Sequence, residues 1–138
     1  AICSHLQQAG QPVYIMSGGF TEMIAPVADK LDLPPERIYA NTFVKRKTVV
    51  TGIDFANPLA HSGGKADAIT ALKAKGSESI ICIGDGISDA IPYLEGIADE
   101  FWGFFQHHDR PKVRAKALRS FDSAAALAAY LHRLHPLD

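Results

Sequence analysis

Ile80-Ile81-Cys82-Ile83-Gly84-Asp85-Gly86-Ile87-Ser88-Asp89 is an apolar run of strand length that stops at a glycine and continues into two carboxylates. In α/β proteins, ligands collect at the carboxyl ends of strands, where the loops converge. Mg²⁺ binds through one or two carboxylates and keeps its other positions for water and phosphate oxygens. The stretch therefore predicts a strand followed by a magnesium site for a phosphorylated ligand.

The composition is that of an ordinary globular protein, with 47% hydrophobic and 21% charged residues among 138. Such a length predicts a single domain, 1–138, with its own core. A net charge of −1 gives no electrostatic case for nucleic acid or an anionic membrane, and no apolar run approaches the roughly 20 residues of a membrane span. The first residues do not resemble a signal peptide, and the widely spaced Cys3 and Cys82 indicate reduced thiols in a cytoplasmic protein.

Predicted strands alternate with predicted helices along the chain, which favours an α/β sheet with parallel strands. The strands are expected at 13–16, 80–83 and 98–104, and a hairpin with a basic tip at 38–44 and 48–53. Helical periodicity or capping residues predict helices at 2–9, 20–31, 63–75, 88–94, 110–118 and from 122 or 123 to 134.

Three short segments carry the chemistry. Ser17-Gly18-Gly19 offers a hydroxyl and backbone N–H groups after a strand, Lys65 follows two glycines at a helix start, and Asp85 and Asp89 can hold a cation. A hydroxyl, a lysine and a metal carboxylate around one anion stabilise phosphoryl transfer. Each segment alone has a simpler interpretation: a turn, a solvated lysine, and a helix N-cap with a first-turn acid. Their order and spacing together favour the phosphate site.

The same segments resemble the motifs of the phosphoserine phosphatase branch of the haloacid dehalogenase superfamily. Ser17-Gly18-Gly19-Phe20 resembles its second motif, Gly63-Gly64-Lys65-Ala66 its third, and 84–89 its fourth, Gly-Asp-Gly-x-x-Asp. Weaker similarity extends from Val13 to about Leu131, which is nearly the whole chain.

The resemblance implies a role for each matching residue. Ser17 and the Gly18 amide would bind phosphate oxygens, and Lys65 would neutralise the phosphate. Asp85 would bind Mg²⁺ directly, while Asp89 would support the metal through water or a hydrogen bond. Ser88 stands where relatives carry Asn or Thr, so a polar contact to the phosphate or to the nucleophile is expected there. The implied catalytic set is Lys65, Asp85 and Asp89, with a small phosphorylated metabolite such as phosphoserine as substrate and serine biosynthesis as its context.

The sequence departs from the family at its first motif. Relatives attack phosphorus with an aspartate of an Asp-x-Asp motif on the first strand, yet the 138 residues contain no Asp-x-Asp, and the helical cap that selects the substrate is also missing. Three hypotheses stay open. The chain is a Mg²⁺-dependent phosphomonoester hydrolase with an unconventional or externally supplied nucleophile, a non-catalytic phosphate-binding or oligomerising remnant, or a fragment that needs its upstream half.

The absence of the family's first motif also determines the expected fold. It is a partial haloacid dehalogenase-like Rossmannoid three-layer sandwich, with a mostly parallel sheet that lacks the usual central first strand, plus a β-hairpin. Unpaired backbone groups beside that gap cost about 1–3 kcal/mol each. Either the two neighbouring strands pair directly, or another chain covers them. We therefore expect a homo-oligomer, in the simplest case a dimer.

Overall fold

The computed structural model describes residues 1–76 and 79–138. The chain divides into two compact units, and each is treated by itself below. The first unit consists of Ala1–Gly64 with His135–Asp138, and the second of Lys65–Leu134. The expectation of one domain over 1–138 stays a prediction.

The first unit combines a parallel strand pair with an antiparallel hairpin. Its elements are α1 (Ile2–Gln8), β1 (Ile15–Phe20), α2 (Thr21–Lys30), β2 (Ile38–Asn41), β3 (Phe43–Arg46) and β4 (Val49–Ile53), with 3-10 turns at Pro35–Arg37 and Pro58–Ala60. β1 and β2 run parallel, and their register shifts between Met16 and Phe20. That irregularity lies at the Ser17-Gly18-Gly19 segment, where two consecutive glycines relax the constraints on the backbone.

Two predictions for this unit are wrong. The predicted strand at 13–16 instead runs from Ile15 through the glycines to Phe20, and the next helix begins at Thr21. The predicted first hairpin arm, 38–44, is divided between two sheets. Its first part, β2, pairs with β1, whereas β3 pairs with β4. Local β-propensity does not reveal which strand an apolar segment will pair with, because that choice depends on residues distant in sequence.

The second unit is a three-stranded parallel sheet with helices on both faces. Its elements are α3 (Gly64–Ala74), β5 (Ile81–Gly84), α4 (Ile87–Leu94), β6 (Glu100–Phe104), α5 (Pro111–Arg114), β7 (Arg119–Phe121) and α6 (Ala124–Leu134), and the strand order is β5-β6-β7. Side chains of successive residues on β6 point to opposite faces of the sheet. Phe101 packs with Ala90 of α4 and Val113 of α5. On the opposite face, Trp102 contacts Phe121 of β7 and Tyr130 of α6.

The helix predicted over 110–118 is the main error in this unit. Only Pro111–Arg114 is helical, and Arg119–Phe121 forms β7, which the sequence analysis did not predict. β7 has three residues, two of them polar, so it carries no strand-like alternation of its own. It forms a strand because it pairs with β6, from Trp102↔Arg119 to Phe104↔Phe121.

The expected fold class is confirmed, since the structure is α/β, its sheets are mostly parallel, and a hairpin is present. Within residues 1–76 and 79–138, β1 and β5 each have one hydrogen-bonded strand partner. Ile81 and Ile83 of β5 keep 39% and 41% of their surface exposed. None of the helices in the described part of the chain has the length and apolar character needed to cross a bilayer.

Candidate active site

Ser17, Gly18 and Gly19 form a tight polar segment in the last part of β1. The Gly19 N–H donates to the Ser17 hydroxyl oxygen at 3.0 Å. Because the hydroxyl accepts this bond, its own proton is available to donate to an anion. A Cβ added to Gly19 would lie 3.2 Å from Ser17 Oγ, whereas one added to Gly18 meets nothing within 4 Å. Gly18 is also exposed, so this segment presents a hydroxyl and an open backbone to solvent.

Asn41, the last residue of β2, lies next to this segment. Its side-chain Nδ2 donates to the Gly18 carbonyl at 2.9 Å and to the Leu59 carbonyl at 3.0 Å. The Thr21 hydroxyl donates to the Asn41 backbone carbonyl at 3.2 Å. Asn41 is 7% exposed, and its Oδ1 is buried without a hydrogen-bond partner in the described residues. A buried amide that holds two carbonyls yet leaves its own oxygen unpaired has an energetic cost, and such a group calls for an explanation.

Lys65 and Asp89 form an ion pair in the second unit. Lys65 follows Gly64 at the start of α3, and its Nζ lies 2.6 Å from Asp89 Oδ1 and 3.3 Å from Ser88 Oγ. The two side chains are only 21% and 19% exposed. An ion pair with this little exposure is screened less by solvent and salt than a surface pair. The predicted lysine and the second predicted carboxylate therefore contact each other directly.

The second carboxylate oxygen of Asp89 organises the loop that precedes α4. Asp89 Oδ2 accepts from the Gly86 N–H at 3.1 Å, and the Asp89 N–H donates to the Gly86 carbonyl at 3.1 Å. An acid in the first turn of a helix is also favoured by the helix dipole. A Cβ added to Gly84 would lie 2.2 Å from Asp89 Oδ2, so only glycine allows this close approach. Both oxygens of Asp89 are thus engaged within the protein.

The carboxylate of Asp85 has a different environment. It is half-buried, and in residues 1–76 and 79–138 no hydrogen bond or salt bridge reaches it. The Asp85 backbone carbonyl accepts a hydrogen bond from Arg110 Nη1 at 3.2 Å. A half-buried carboxylate without a protein partner is a suitable ligand for a cation. Within the described ranges no group of three His, Cys, Asp or Glu side chains could hold a metal unaided. A single carboxylate such as that of Asp85 fits Mg²⁺, which completes its shell with water and phosphate oxygens.

A charged network fixes the segment that carries Arg110. Arg114 binds Asp109 through two hydrogen bonds of 3.0 Å and contacts Asp122 at 2.5 Å. The Arg114 hydrogen bond lowers the pKa of the Asp109 carboxyl below its ordinary value. Arg114 also lies over the Phe105 ring, 4.5 Å from its centroid. Arg110 is therefore held next to the Asp85 loop by neighbours on both sides.

Cys82 lies on β5, on the sheet face that packs against the core beside α4. Burial, with a smaller contribution from the negative charge of Asp89, raises the pKa of its thiol to about 11, and Lys65 opposes that shift. A thiol with such a pKa stays protonated at neutral pH and is a poor nucleophile. Cys82 is therefore not a candidate nucleophile.

Comparison with known proteins identifies the family. The haloacid dehalogenase-like hydrolase model matches residues 1–95. The chain belongs to this family. A phosphoserine phosphatase of Drosophila melanogaster is 39% identical over 119 residues, which are 83% of this chain and 43% of that protein. The human phosphoserine phosphatase is 37% identical over 120 residues, covering 84% of this chain and 52% of the human protein. The chain thus spans about half the length of these relatives.

Solved structures of the same family share the fold. A phosphoserine phosphohydrolase-like protein from Francisella tularensis superposes with a TM-score of 0.83 at 30% identity, covering 94% of this chain and 59% of that one. A substrate-bound phosphoserine phosphatase superposes with a TM-score of 0.72 at 20% identity, covering 95% of this chain and 60% of its own, and at this identity it supports the fold alone. The resemblance to the haloacid dehalogenase superfamily expected from the motifs is confirmed.

The predicted site residues of this haloacid dehalogenase-like chain lie in both units. Lys65 contacts Ser88 and Asp89 in the first turn of α4, and Asp85 lies in the loop that precedes this helix. Ser17 and Gly18 belong to the first unit. Their assigned roles stay predictions.

Two residues that contact predicted site residues were not themselves predicted. Asn41 contacts Gly18, and Arg110 contacts Asp85. Asn41 lies in the middle of the predicted hairpin arm 38–44, and only the structure places it at the end of a strand. Arg110 lies within the weaker resemblance to the family, in Arg110-x-x-Val113, but its contact with a carbonyl 25 residues away depends on the fold.

Proposed function

We propose that this chain belongs to a Mg²⁺-dependent phosphomonoester hydrolase of the phosphoserine phosphatase type. One observation carries the proposal: the half-buried Asp85 carboxylate has no partner in the described residues, and its loop leads into the first turn of α4, where Lys65 binds Asp89. Relatives at 37–39% identity are phosphoserine phosphatases, which favours a phosphorylated hydroxy amino acid as the substrate class.

Each residue has a proposed task in this reaction. Asp85 would hold the metal, with Asp89 supporting the loop through its bonds to Lys65 and Gly86. Ser17 would donate its hydroxyl proton to a phosphate oxygen, and Gly18 would offer its backbone amide. Lys65 would place a positive charge near the transferring phosphoryl group, where charge develops in the transition state. Bound Mg²⁺ would supply charge neutralisation and lower the pKa of a water molecule.

The proposal includes two alternative nucleophiles. The 138 residues contain no Asp-x-Asp, and the two routes we propose use either a water molecule or an aspartate from another polypeptide segment as the attacking group. The water route makes one P–O bond and breaks the bond to the serine oxygen, and the proton lost by water passes to the leaving alkoxide. The aspartate route forms a phosphoaspartyl intermediate first, which splits a difficult step into two easier ones.

Phosphate release from phosphoserine tests the proposal. Rigorously purified protein should release phosphate with Mg²⁺, either alone or after addition of a polypeptide that carries an Asp-x-Asp segment. Asp85→Asn should lower the rate by roughly 10²-fold or more, as expected for loss of an electrostatic stabiliser. Asp29→Asn, on the exposed surface of α2, is the matched control and should retain full activity. Equal rates for wild type and Asp85→Asn would overturn the proposal.

A phosphate-binding protein without turnover is the second candidate, favoured by the absence of Asp-x-Asp from the sequence. Calorimetric titration with inorganic phosphate and Mg²⁺ separates the two. Binding that requires Asp85, without phosphoserine hydrolysis under any of the conditions above, supports this candidate over the enzyme.

We also propose that β1 and β5 are covered by a second copy of the chain. Exposed edge strands favour pairing with another strand, and the exposed Ile81 and Ile83 add apolar surface to that edge. Light scattering should show a dimer at micromolar concentration, and Ile83→Lys should shift it toward monomer. A monodisperse wild-type monomer would count against the dimer.

We further propose that the protein is cytoplasmic. Both cysteines are free thiols, which agrees with that location.

A further inference from the structure

We propose that Asn41 is a positioning residue that fixes the Ser17 hydroxyl through one peptide plane. This inference rests on the proposed role of Ser17 in phosphate binding. Asn41 itself contacts neither the reacting atoms nor a ligand in this scheme. Its effect passes through the peptide unit that joins Gly18 to Gly19.

That peptide unit is held at both ends. Its carbonyl, from Gly18, accepts from Asn41 Nδ2 at 2.9 Å, and its N–H, from Gly19, donates to Ser17 Oγ at 3.0 Å. Because a peptide unit is planar, fixing its carbonyl also fixes the direction of its N–H. Two glycines in a row leave the backbone free to rotate unless something holds it. Asn41 therefore determines where the Ser17 oxygen is anchored.

The chemistry at position 41 requires an amide. Gly18 and Leu59 each present a carbonyl, and the Asn41 NH₂ group supplies one hydrogen to each. An aspartate of the same shape has acceptors only, so it would repel both carbonyls. A leucine of similar volume would leave both without a donor. Asn41 is 7% exposed, so water cannot readily replace it.

The chain provides a matched control at Asn57. Its Nδ2 donates to the Ala40 carbonyl at 2.7 Å, and its Oδ1 accepts from the Leu59 N–H at 3.0 Å. Asn57→Leu thus removes two hydrogen bonds in the same unit, as Asn41→Leu does. The Asn57 side chain has no hydrogen bond to Ser17, Gly18 or Gly19 in the described residues. A general loss of stability would affect both variants, whereas a positioning effect is specific to Asn41.

Amide hydrogen exchange followed by NMR tests the inference without requiring any activity. In the wild type, the Asn41 side-chain amide protons and the Gly19 N–H should exchange slowly. In Asn41→Leu the Gly19 N–H should exchange roughly five- to tenfold faster than in Asn57→Leu, the factor expected for loss of one hydrogen bond. The N–H groups of β6 report global opening in each variant. Equal acceleration of Gly19 in both variants, or fast exchange of the Asn41 amide in the wild type, would overturn the inference.

A second readout separates this inference from the proposed function. Affinity for inorganic phosphate with Mg²⁺ should fall roughly five- to tenfold in Asn41→Leu and stay unchanged in Asn57→Leu, again the factor for one hydrogen bond. Asn41→Ser, which keeps one donor, replaces Asn41→Leu if the latter does not fold, and should give an intermediate Gly19 exchange rate. A wild type that binds no phosphate would refute the proposed function while leaving the exchange result to decide on Asn41.

Discussion

The Lys65 ammonium lies 2.6 Å from the Asp89 carboxylate, and the Gly86 N–H binds the other oxygen of that carboxylate at 3.1 Å. One side chain thus joins the first turn of α3 to the loop before α4. The arrangement leaves Asp85 as the carboxylate of this loop without a protein partner in residues 1–76 and 79–138. The two aspartates that look equivalent in sequence therefore differ in structure: Asp89 holds the loop, and Asp85 is the carboxylate left for the proposed role in cation binding.

Removing the ammonium at position 65 should destabilise the protein. Lys65→Met leaves the Asp89 charge partly buried without its partner, and we expect a loss of about 1–3 kcal/mol in the free energy of unfolding, as for buried pairs discounted for partial exposure. Lys73→Met is the control, because Lys73 and Asp99 form a longer and more exposed pair at 3.4 Å. That change should cost less than about 0.5 kcal/mol. Urea denaturation measures both, and equal losses would contradict the stabilising role of the Lys65 pair.

Gly84→Ala should displace the Asp89 carboxylate. The new Cβ would lie 2.2 Å from Asp89 Oδ2, so the carboxylate must leave the Gly86 N–H. We expect a loss of roughly 1–3 kcal/mol in stability, together with weaker binding of Mg²⁺. Gly52→Ala is the matched substitution, since a Cβ there meets nothing within 4 Å. Thermal unfolding of both variants with and without Mg²⁺ checks the expectation, and it fails if Gly84→Ala behaves like Gly52→Ala.

Arg110 should tune metal binding by holding the backbone at Asp85. Arg110→Gln removes a charged donor from the Asp85 carbonyl, and such bonds contribute about 1.5–3 kcal/mol when they are well formed. Since Arg110 is exposed, and because its removal also relieves charge repulsion of a cation, we expect at most the low end of that range, which is a loss of up to about tenfold in Mg²⁺ affinity. Lys112→Gln, on the exposed surface of α5, is the control. Calorimetric titration with Mg²⁺ should distinguish them, and an unchanged affinity in Arg110→Gln would exclude this role.

The Cys82 thiol should make stability depend on alkaline pH. Its pKa is about 11 in the folded protein against an ordinary 9.0, so the thiol ionises first in the unfolded chain. The contribution is therefore fully present below pH 9, falls as pH rises, and is lost once pH passes 11. Relative to Cys82→Ala, the wild type should lose up to about 2 kcal/mol over that window, after allowance for partial exposure. Parallel pH dependences of unfolding in the two proteins would show that the thiol is not buried as described.

Local sequence patterns predicted the second unit better than the first. The run 80–89 combines a strand, a glycine stop and a helix start, and each of these is a short-range signal that the structure reproduces within one or two residues, although Ile81 and Ile83 of the strand are exposed. Strand β7 could not be predicted, because its three residues become a strand only by pairing with β6. Likewise, residues 38–41 have the composition of a hairpin arm, and only their parallel register with β1 assigns them to the other sheet.

The predicted site residues were identified by motif rather than by position in space. Lys65 and Asp89 are 24 residues apart, and nothing in their separate surroundings shows that they form an ion pair. Asn41 contacts Gly18 across 23 residues, so its role depends on the pairing of β1 with β2. Contacts of this kind are set by topology, which is why a single sequence locates the chemical groups but not the residues that orient them.

The charges around the Asp85 loop balance one another. Lys65 and Arg110 carry two positive charges and Asp85 and Asp89 two negative ones, so these four side chains offer a phosphate dianion no net attraction. A divalent cation on Asp85 would bring the cluster to +2. We therefore expect phosphate to bind this loop more tightly when a divalent cation is present, and weakly without one.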